Sequence, residues 1–144
     1  VVQSAIGFPM TVHGSGGQTR AFIHISDTVK CILLSVKNPN KSSDVRIINQ
    51  QAETKSIIEI AKIVEMEFGG NINFVCNPRQ EKDTNTLEVE NNSLCNMGWN
   101  PIKIDAKLLE KEFQLVKSNI QNINKNRIEA MSTWNEKCKP GVVK

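Results

Sequence analysis

Two arginines carry the chemistry that this chain could direct at a charged ligand. Arg20 ends the run Gly14-Ser15-Gly16-Gly17-Gln18-Thr19-Arg20 and leads straight into the apolar stretch Ala21–Ile25. Arg79 follows Asn77-Pro78 and precedes Gln80-Glu81, just beyond the apolar run Ile72–Val75. A guanidinium offers a planar fork of donors that suits neighbouring phosphate oxygens. Glycines beside Arg20 let bare backbone approach a ligand, and Pro78 fixes the backbone that carries Arg79. Most of the 18 basic residues are lysines, so each arginine stands apart. Two guanidiniums at neighbouring strand ends would make a site for two negative charges, each charge-assisted bond contributing about 1.5–3 kcal/mol. The ordinary readings are a simple hairpin turn for the glycines, a surface salt bridge from Arg20 to Asp27 or Glu53, and solvent exposure for Arg79. On the glycines alone the hairpin is the better reading; Arg20 shifts the balance.

Other chemistry is excluded or unsupported. A Walker loop needs Gly-Lys-Ser/Thr at its end, and a dinucleotide fingerprint needs a helix after its third glycine; here an apolar strand follows. His13 and His24 have no partner at a spacing that specifies acid–base catalysis, and His24 reads as a packed histidine. Asp27 and Glu53 read as a helix cap and a pre-helix acid. Cys31, Cys76, Cys95 and Cys138 are too far apart for a zinc cluster or a Cys-x-x-Cys redox pair. Cys31 reads as a buried free thiol, which points to a reducing, cytosol-like compartment. The chain has no tyrosine, so it cannot hold a Tyr-x-x-x-Lys proton-transfer pair, and it has no Gly-x-x-Gly-x-x-Gly turn.

The elements that must position the arginines follow from periodicity and capping. At 144 residues, with 39% hydrophobic and 23% charged residues, the chain suits one soluble globular domain. A net charge of +3, with scattered lysines, does not indicate nucleic acid. No apolar run reaches the roughly 18 residues of a membrane span, and the segment Val1–Ile6 lacks the basic flank and long apolar stretch expected of a signal peptide. Residues 1–6 read as the last turns of a helix, and the absence of an initiator methionine suggests a piece of a longer protein. Strands are expected at Met10–His13, Ala21–Ile25, Val45–Ile48 and Ile72–Val75. A helix capped by Ser26 or Asp27 should run to about Val36, with Val29, Ile32, Leu33 and Val36 facing the core. Thr54 is the expected N-cap of a helix ending at Gly69-Gly70, and Asp105 of the last long helix. Trp99 should act as a plug in the turn Met97–Pro101. Strands alternating with helices imply an α/β fold.

Together, Pro9-Met10-Thr11-Val12-His13-Gly14, Gly16-Gly17-Gln18-Thr19-Arg20, Asp27-Thr28-Val29 and Asn77-Pro78-Arg79-x-Glu81 resemble the C-terminal half of an extended short-chain dehydrogenase/reductase. Within that superfamily the likeness is nearest to the sulfoquinovose synthase family. Phe22-Ile23-His24-Ile25, Asn49-Gln50 and Met97-Gly98-Trp99-Asn100-Pro101 add to it, so the resemblance spans nearly the whole chain. It implies the substrate-binding part of a Rossmann-type enzyme whose missing N-terminal domain holds NAD and all catalytic groups. Residues 1–8 would end a helix from that domain, 9–121 would form the nucleotide-sugar-binding domain, and 122–144 a weakly patterned tail. Residues 45–50 would join the Rossmann sheet, leaving an apolar edge and a marginally stable chain when isolated. Arg20 and Arg79 would clamp the diphosphate of a UDP-sugar. Thr11, Val12 and His13 would lie near the nucleobase or ribose, with Gln18 nearby and Glu81 and Asn85 orienting Arg79 or touching the ligand. Relatives often carry tyrosine where this chain has His13, so stacking on uracil does not carry over. The implied reaction converts UDP-glucose and sulfite to UDP-sulfoquinovose; its rivals are a 4-epimerase, a dehydratase and a non-catalytic binding module. The resemblance also implies a homodimer at full length, without nucleic acid or membrane, in the cytoplasm or a plastid stroma.

Overall fold

The computed structural model describes residues 1–77 and 87–128. The architecture is α/β, as expected. The chain divides into two compact units: Val1–Thr19, Ser56–Asn85 and Asp105–Lys144 form the first, and Arg20–Lys55 with Thr86–Ile104 form the second.

In the first unit, helix α1 (Val2–Ala5) is followed by strand β1 (Met10–His13). Strand β4 (Ile72–Val75) runs parallel to it, with Met10 opposite Ile72 and His13 opposite Val75. Helix α3 (Ile57–Phe68) and helix α5 (Ala106–Ser118) also belong to this unit. Ala61 and Val64 of α3 are buried with Met10 and Val12, and the rings of Phe68 and Phe113 stack at 4.4 Å. The Asp105 side chain caps α5 by accepting from the Leu108 N–H at 2.8 Å, as its position before the helix predicts.

The cap of α3 differs from expectation. Ser56, not Thr54, occupies it, in a reciprocal capping box with Glu59. Thr54 instead lies in strand β3 (Glu53–Ser56), where its hydroxyl accepts from Gln51 Nε2 at 2.6 Å. Strand β2 (Thr19–Phe22) pairs with β3, while among the described residues β1 pairs only with β4. The glycine run between β1 and β2 is therefore not a hairpin turn.

The second unit is built on helix α2 (Ile25–Lys37) and a short helix α4 (Asn92–Asn96). Its core is Cys31, Leu94 and Trp99, with Ile23, Leu34, Ile48, Ala52 and Met97 packed around them. Trp99 is the expected plug. The strand before α2 stops at Phe22, and His24 rather than Ser26 or Asp27 is the cap, its ring nitrogen accepting from the Ser26 N–H. A second correction concerns the face that α2 buries. Asp27 and Cys31 are fully enclosed, whereas Val29, Ile32, Leu33 and Val36 are 49–72% exposed. The segment 45–48 is not a strand, and Val45 and Ile47 are solvent-exposed. β-branched residues favour strands only when a neighbouring ladder receives them, and no described strand lies beside this segment.

Asp27 and Glu53 have structural roles in this unit. Asp27 accepts from the Ile102 N–H at 2.7 Å and pairs with Lys30 at 2.9 Å. Glu53 accepts from the Ile104 N–H and pairs with Lys55 at 3.0 Å. Burial pushes the Cys31 thiol up, and the neighbouring Asp27 carboxylate adds to the shift. Cys31 and Cys95 are free, but Cys76 is disulfide-bonded, which cysteine spacing does not suggest.

Candidate functional site

Four of the expected ligand residues gather in the first unit. Thr11, Val12 and His13 are consecutive on β1, and Gln18 returns to them across the glycine turn, its Nε2 donating to the His13 carbonyl at 3.3 Å. Val12 is 1% exposed, so its side chain belongs to the core. Thr11 is gripped by Gln3: the Thr11 N–H donates to Gln3 Oε1 at 2.9 Å, and the Thr11 hydroxyl accepts from Gln3 Nε2 at 3.0 Å. Gln3 thus fixes Thr11 through both ends of its amide, a contact eight residues away that no motif announces.

His13 stands at the carboxyl end of β1, where α/β folds tend to place their ligands. Its Nδ1 lies 3.3 Å from the Cys76 carbonyl. A carbonyl can only accept, so in this contact Nδ1 is the donor. Gln18 is 6% exposed, and its Oε1 has no hydrogen-bond partner.

The glycine turn serves α3. Helix N-termini leave backbone donors without intrahelical partners, which makes them potential anion sites. Here the Ile57 N–H donates to the Gln18 carbonyl at 3.2 Å and the Ile58 N–H to the Gly16 carbonyl at 3.0 Å. Ser56 N–H donates to Glu59 Oε2 at 2.6 Å, and Glu59 N–H to the Ser56 hydroxyl at 3.3 Å. With these four donors engaged and the Glu59 carboxylate beside them, the start of α3 is closed to an anion. Gly16 is required for this fit. Its φ is +74°, and a Cβ there would sit 2.7 Å from Val12 Cγ1 and 3.0 Å from Ile58 Cβ. The signature Ser56-x-x-Glu59 is legible in the sequence; the turn's part in the cap is not.

Arg20 lies in the second unit, half-buried on β2. Arg79, Glu81 and Asn85 fall outside the described residues. Among the described residues, no group of three His, Cys, Asp or Glu side chains could hold a metal ion, and no helix is long and apolar enough to cross a membrane.

No protein-family model matches the chain. It is 33% identical over 151 aligned positions to UDP-sulfoquinovose synthase of Sulfolobus acidocaldarius, covering 99% of this chain and 37% of that protein. It is 30% identical over 138 positions to the chloroplastic UDP-sulfoquinovose synthase of Spinacia oleracea, covering 92% and 29%. UDP-glucuronic acid decarboxylase 1 of Xenopus tropicalis is 29% identical over 146 positions, covering 100% and 32%. The chain thus spans about a third of the length of the curated relatives it matches. Among solved structures, UDP-glucuronic acid 4-epimerase of Bacillus cereus, in complex with UDP-glucuronic acid and NAD, superposes with a TM-score of 0.67 at 23% identity, over 82% of this chain and 38% of that one. UDP-glucose 4-epimerase of Bifidobacterium longum, with NAD+ and UDP, gives 0.69 at 19% identity, over 85% and 39%. These likenesses show the fold: α/β, that of part of a Rossmann-type epimerase.

Proposed function

We propose, from its homology to UDP-sugar enzymes of the extended short-chain dehydrogenase/reductase superfamily, that this chain is the substrate-binding part of a longer NAD-dependent enzyme acting on a nucleotide sugar. The observation that carries the reading is the match to UDP-sulfoquinovose synthase along 99% of the chain. The finer proposal is UDP-sulfoquinovose synthase itself, with UDP-glucose and sulfite as substrates and a homodimer as the full-length form. NAD would be held by the part of the enzyme outside this chain, where it would supply hydride transfer at the sugar.

Within that reading, Arg20 and Arg79 bind the diphosphate. Thr11, Val12, His13 and Gln18 attend the nucleoside, with Glu81 and Asn85 supporting Arg79. For Val12 the buried side chain restricts the role to shaping the floor of the strand. His13, at the carboxyl end of β1, would meet the ligand through its ring. Binding energy at the remote phosphates would orient the sugar for chemistry performed elsewhere. Residues 45–50 would enter the sheet of the cofactor domain, consistent with the exposed Val45 and Ile47.

Titration of UDP-glucose into the longer protein tests the clamp. Arg20→Ala and Arg79→Ala should each weaken binding by roughly ten- to a hundredfold, the loss of one charge-assisted contact of about 1.5–3 kcal/mol. Unchanged affinity in both variants would sink the assignment. Product analysis with and without sulfite separates the reactions. Sulfite consumption marks the synthase, and decarboxylation of UDP-glucuronic acid marks the second reading, which is favoured by the 29% identity to the decarboxylase along the whole chain.

A further inference from the structure

A disulfide is anchored at the carboxyl end of β4. Of the four cysteines in the sequence, Cys31 and Cys95 are free and Cys76 is disulfide-bonded. Cys138 is therefore the one partner that this chain can offer it. Cys76 is exposed and is the first residue beyond β4 (Ile72–Val75). Two hydrogen bonds close the ladder there. The Gly14 N–H donates to the Val75 carbonyl at 2.8 Å, and His13 Nδ1 donates to the Cys76 carbonyl at 3.3 Å. Arg79 follows three residues later in the sequence. The bond thus sits where β4 leaves the sheet beside a residue expected to meet the ligand.

The ladder is short, with four residues in each strand. The ends of a pair this small open at little free-energy cost unless something outside the ladder restrains them. A covalent bond at Cys76 supplies such a restraint, because a cross-link between distant positions removes most of the states open to a freed strand end. Exposure makes the same bond accessible to dissolved thiols, and exposed disulfides are the labile ones. Cys31 shows the contrast: it is fully enclosed, and burial pushes its thiol up, which leaves it inert.

We propose that the disulfide at Cys76 is a redox-cleavable pin for the ligand end of β1 and β4. Oxidised, it holds the Cys76 carbonyl against the His13 ring; reduced, it lets that end of the ladder open and weakens nucleotide-sugar binding. The effect on the ligand rests on the reading of the chain as part of a nucleotide-sugar enzyme. The co-reactant is a dithiol. One of its thiolates attacks a sulfur of the bond and expels the other cysteine as a thiolate. The second thiolate then displaces the remaining cysteine, and the reductant leaves as a cyclic disulfide. Two electrons pass to the two cysteines, which take up the two protons that the dithiol gives up. By linkage, the factor by which the bond raises ligand affinity is also the factor by which bound ligand protects the bond from reduction.

The test uses the longer protein, oxidised or held in excess dithiothreitol. Peptide mapping without reductant should recover Cys76 joined to Cys138; a free Cys76 thiol, or a bond to a second molecule, overturns the proposal. Hydrogen exchange in residues 10–15, read by mass spectrometry, should quicken by at least about tenfold on reduction, while α3 keeps its protection. Equal exchange in the two forms overturns the proposal. Cys76→Ser and Cys138→Ser should each exchange fast without reductant and respond to dithiothreitol no further, and Cys95→Ser should behave as the parent. If a variant does not fold, reduction of the unaltered protein still gives the comparison. UDP-glucose should bind the reduced form at least about fivefold more weakly. Saturating UDP-glucose should raise, by the same factor, the ratio of reduced to oxidised dithiothreitol at which half of the bond is reduced. Redox-dependent exchange without UDP-glucose binding in either form removes the nucleotide-sugar reading alone. Binding that is equal in both forms overturns the redox control alone.

Discussion

Helices α2 and α3 are of nearly equal length and both amphipathic, yet they treat their apolar faces in opposite ways. The 12 residues of α3 bury Ala61 and Val64 against their own unit, and a capping box and the glycine turn close the helix start. The 13 residues of α2 bury Asp27 and Cys31 and leave the broader apolar stripe in water. Periodicity reveals that a helix has a face; it does not reveal which neighbour the face is for. A helix that buries its apolar stripe within its own unit and a helix that leaves it exposed carry the same pattern in sequence.

The sharpest way to break this comparison is at the joint that completes α3. Gly16→Ala forces a side chain into left-handed backbone, at about 1–2 kcal/mol, and crowds Val12 and Ile58, at about 1–3 kcal/mol more. Denaturant unfolding should show the sum as a lower midpoint with an unchanged slope. A neutral result would mean that the turn does not hold α3. Next in size is the contrast between Val64→Ala and Val36→Ala in the isolated chain. Val64 is 2% exposed and Val36 is 72% exposed. The first should cost about 2 kcal/mol from two lost methyl groups and the space left behind, and the second less than about 0.5 kcal/mol. Equal losses would show that α2 packs its stripe within the chain and would erase the difference between the helices. Ser56→Ala should cost less than Val64→Ala, about 1 kcal/mol by thermal unfolding, because the two carbonyls of the glycine turn still serve Ile57 and Ile58. A loss several times larger would make the capping box, not the turn, the chief closure of α3.

What can be read from sequence follows how local each signal is. β1, β4, α5 and the Trp99 plug are legible because Asp105, Gly69-Gly70 and short apolar runs act within a few residues. Thr54 and Ser56 are two hydroxyl residues competing for one cap, and the glutamate three residues beyond Ser56 is the mark that decides between them. The strand expected at 45–48 has the right side chains and lacks a ladder to join. Three further features depend on distant chain: Gln3 holding Thr11, Gly16 capping α3, and the two carboxylates on Ile102 and Ile104. No spacing rule connects those positions. Of the expected ligand residues, Thr11, Val12, His13 and Gln18 fall in one unit and Arg20 in the other, a division that no sequence signal marks.

Asp27 and Glu53 together do what a neighbouring strand would do. Their carboxylates receive the N–H groups of Ile102 and Ile104, alternate residues as in a ladder, so this segment is bonded like an edge strand without a backbone partner. Side-chain acceptors cannot be extended residue by residue as a ladder can. The negative charges also stand where another chain would have to bring its own carbonyls. The segment is thereby insulated from strand addition along the side that these carboxylates occupy.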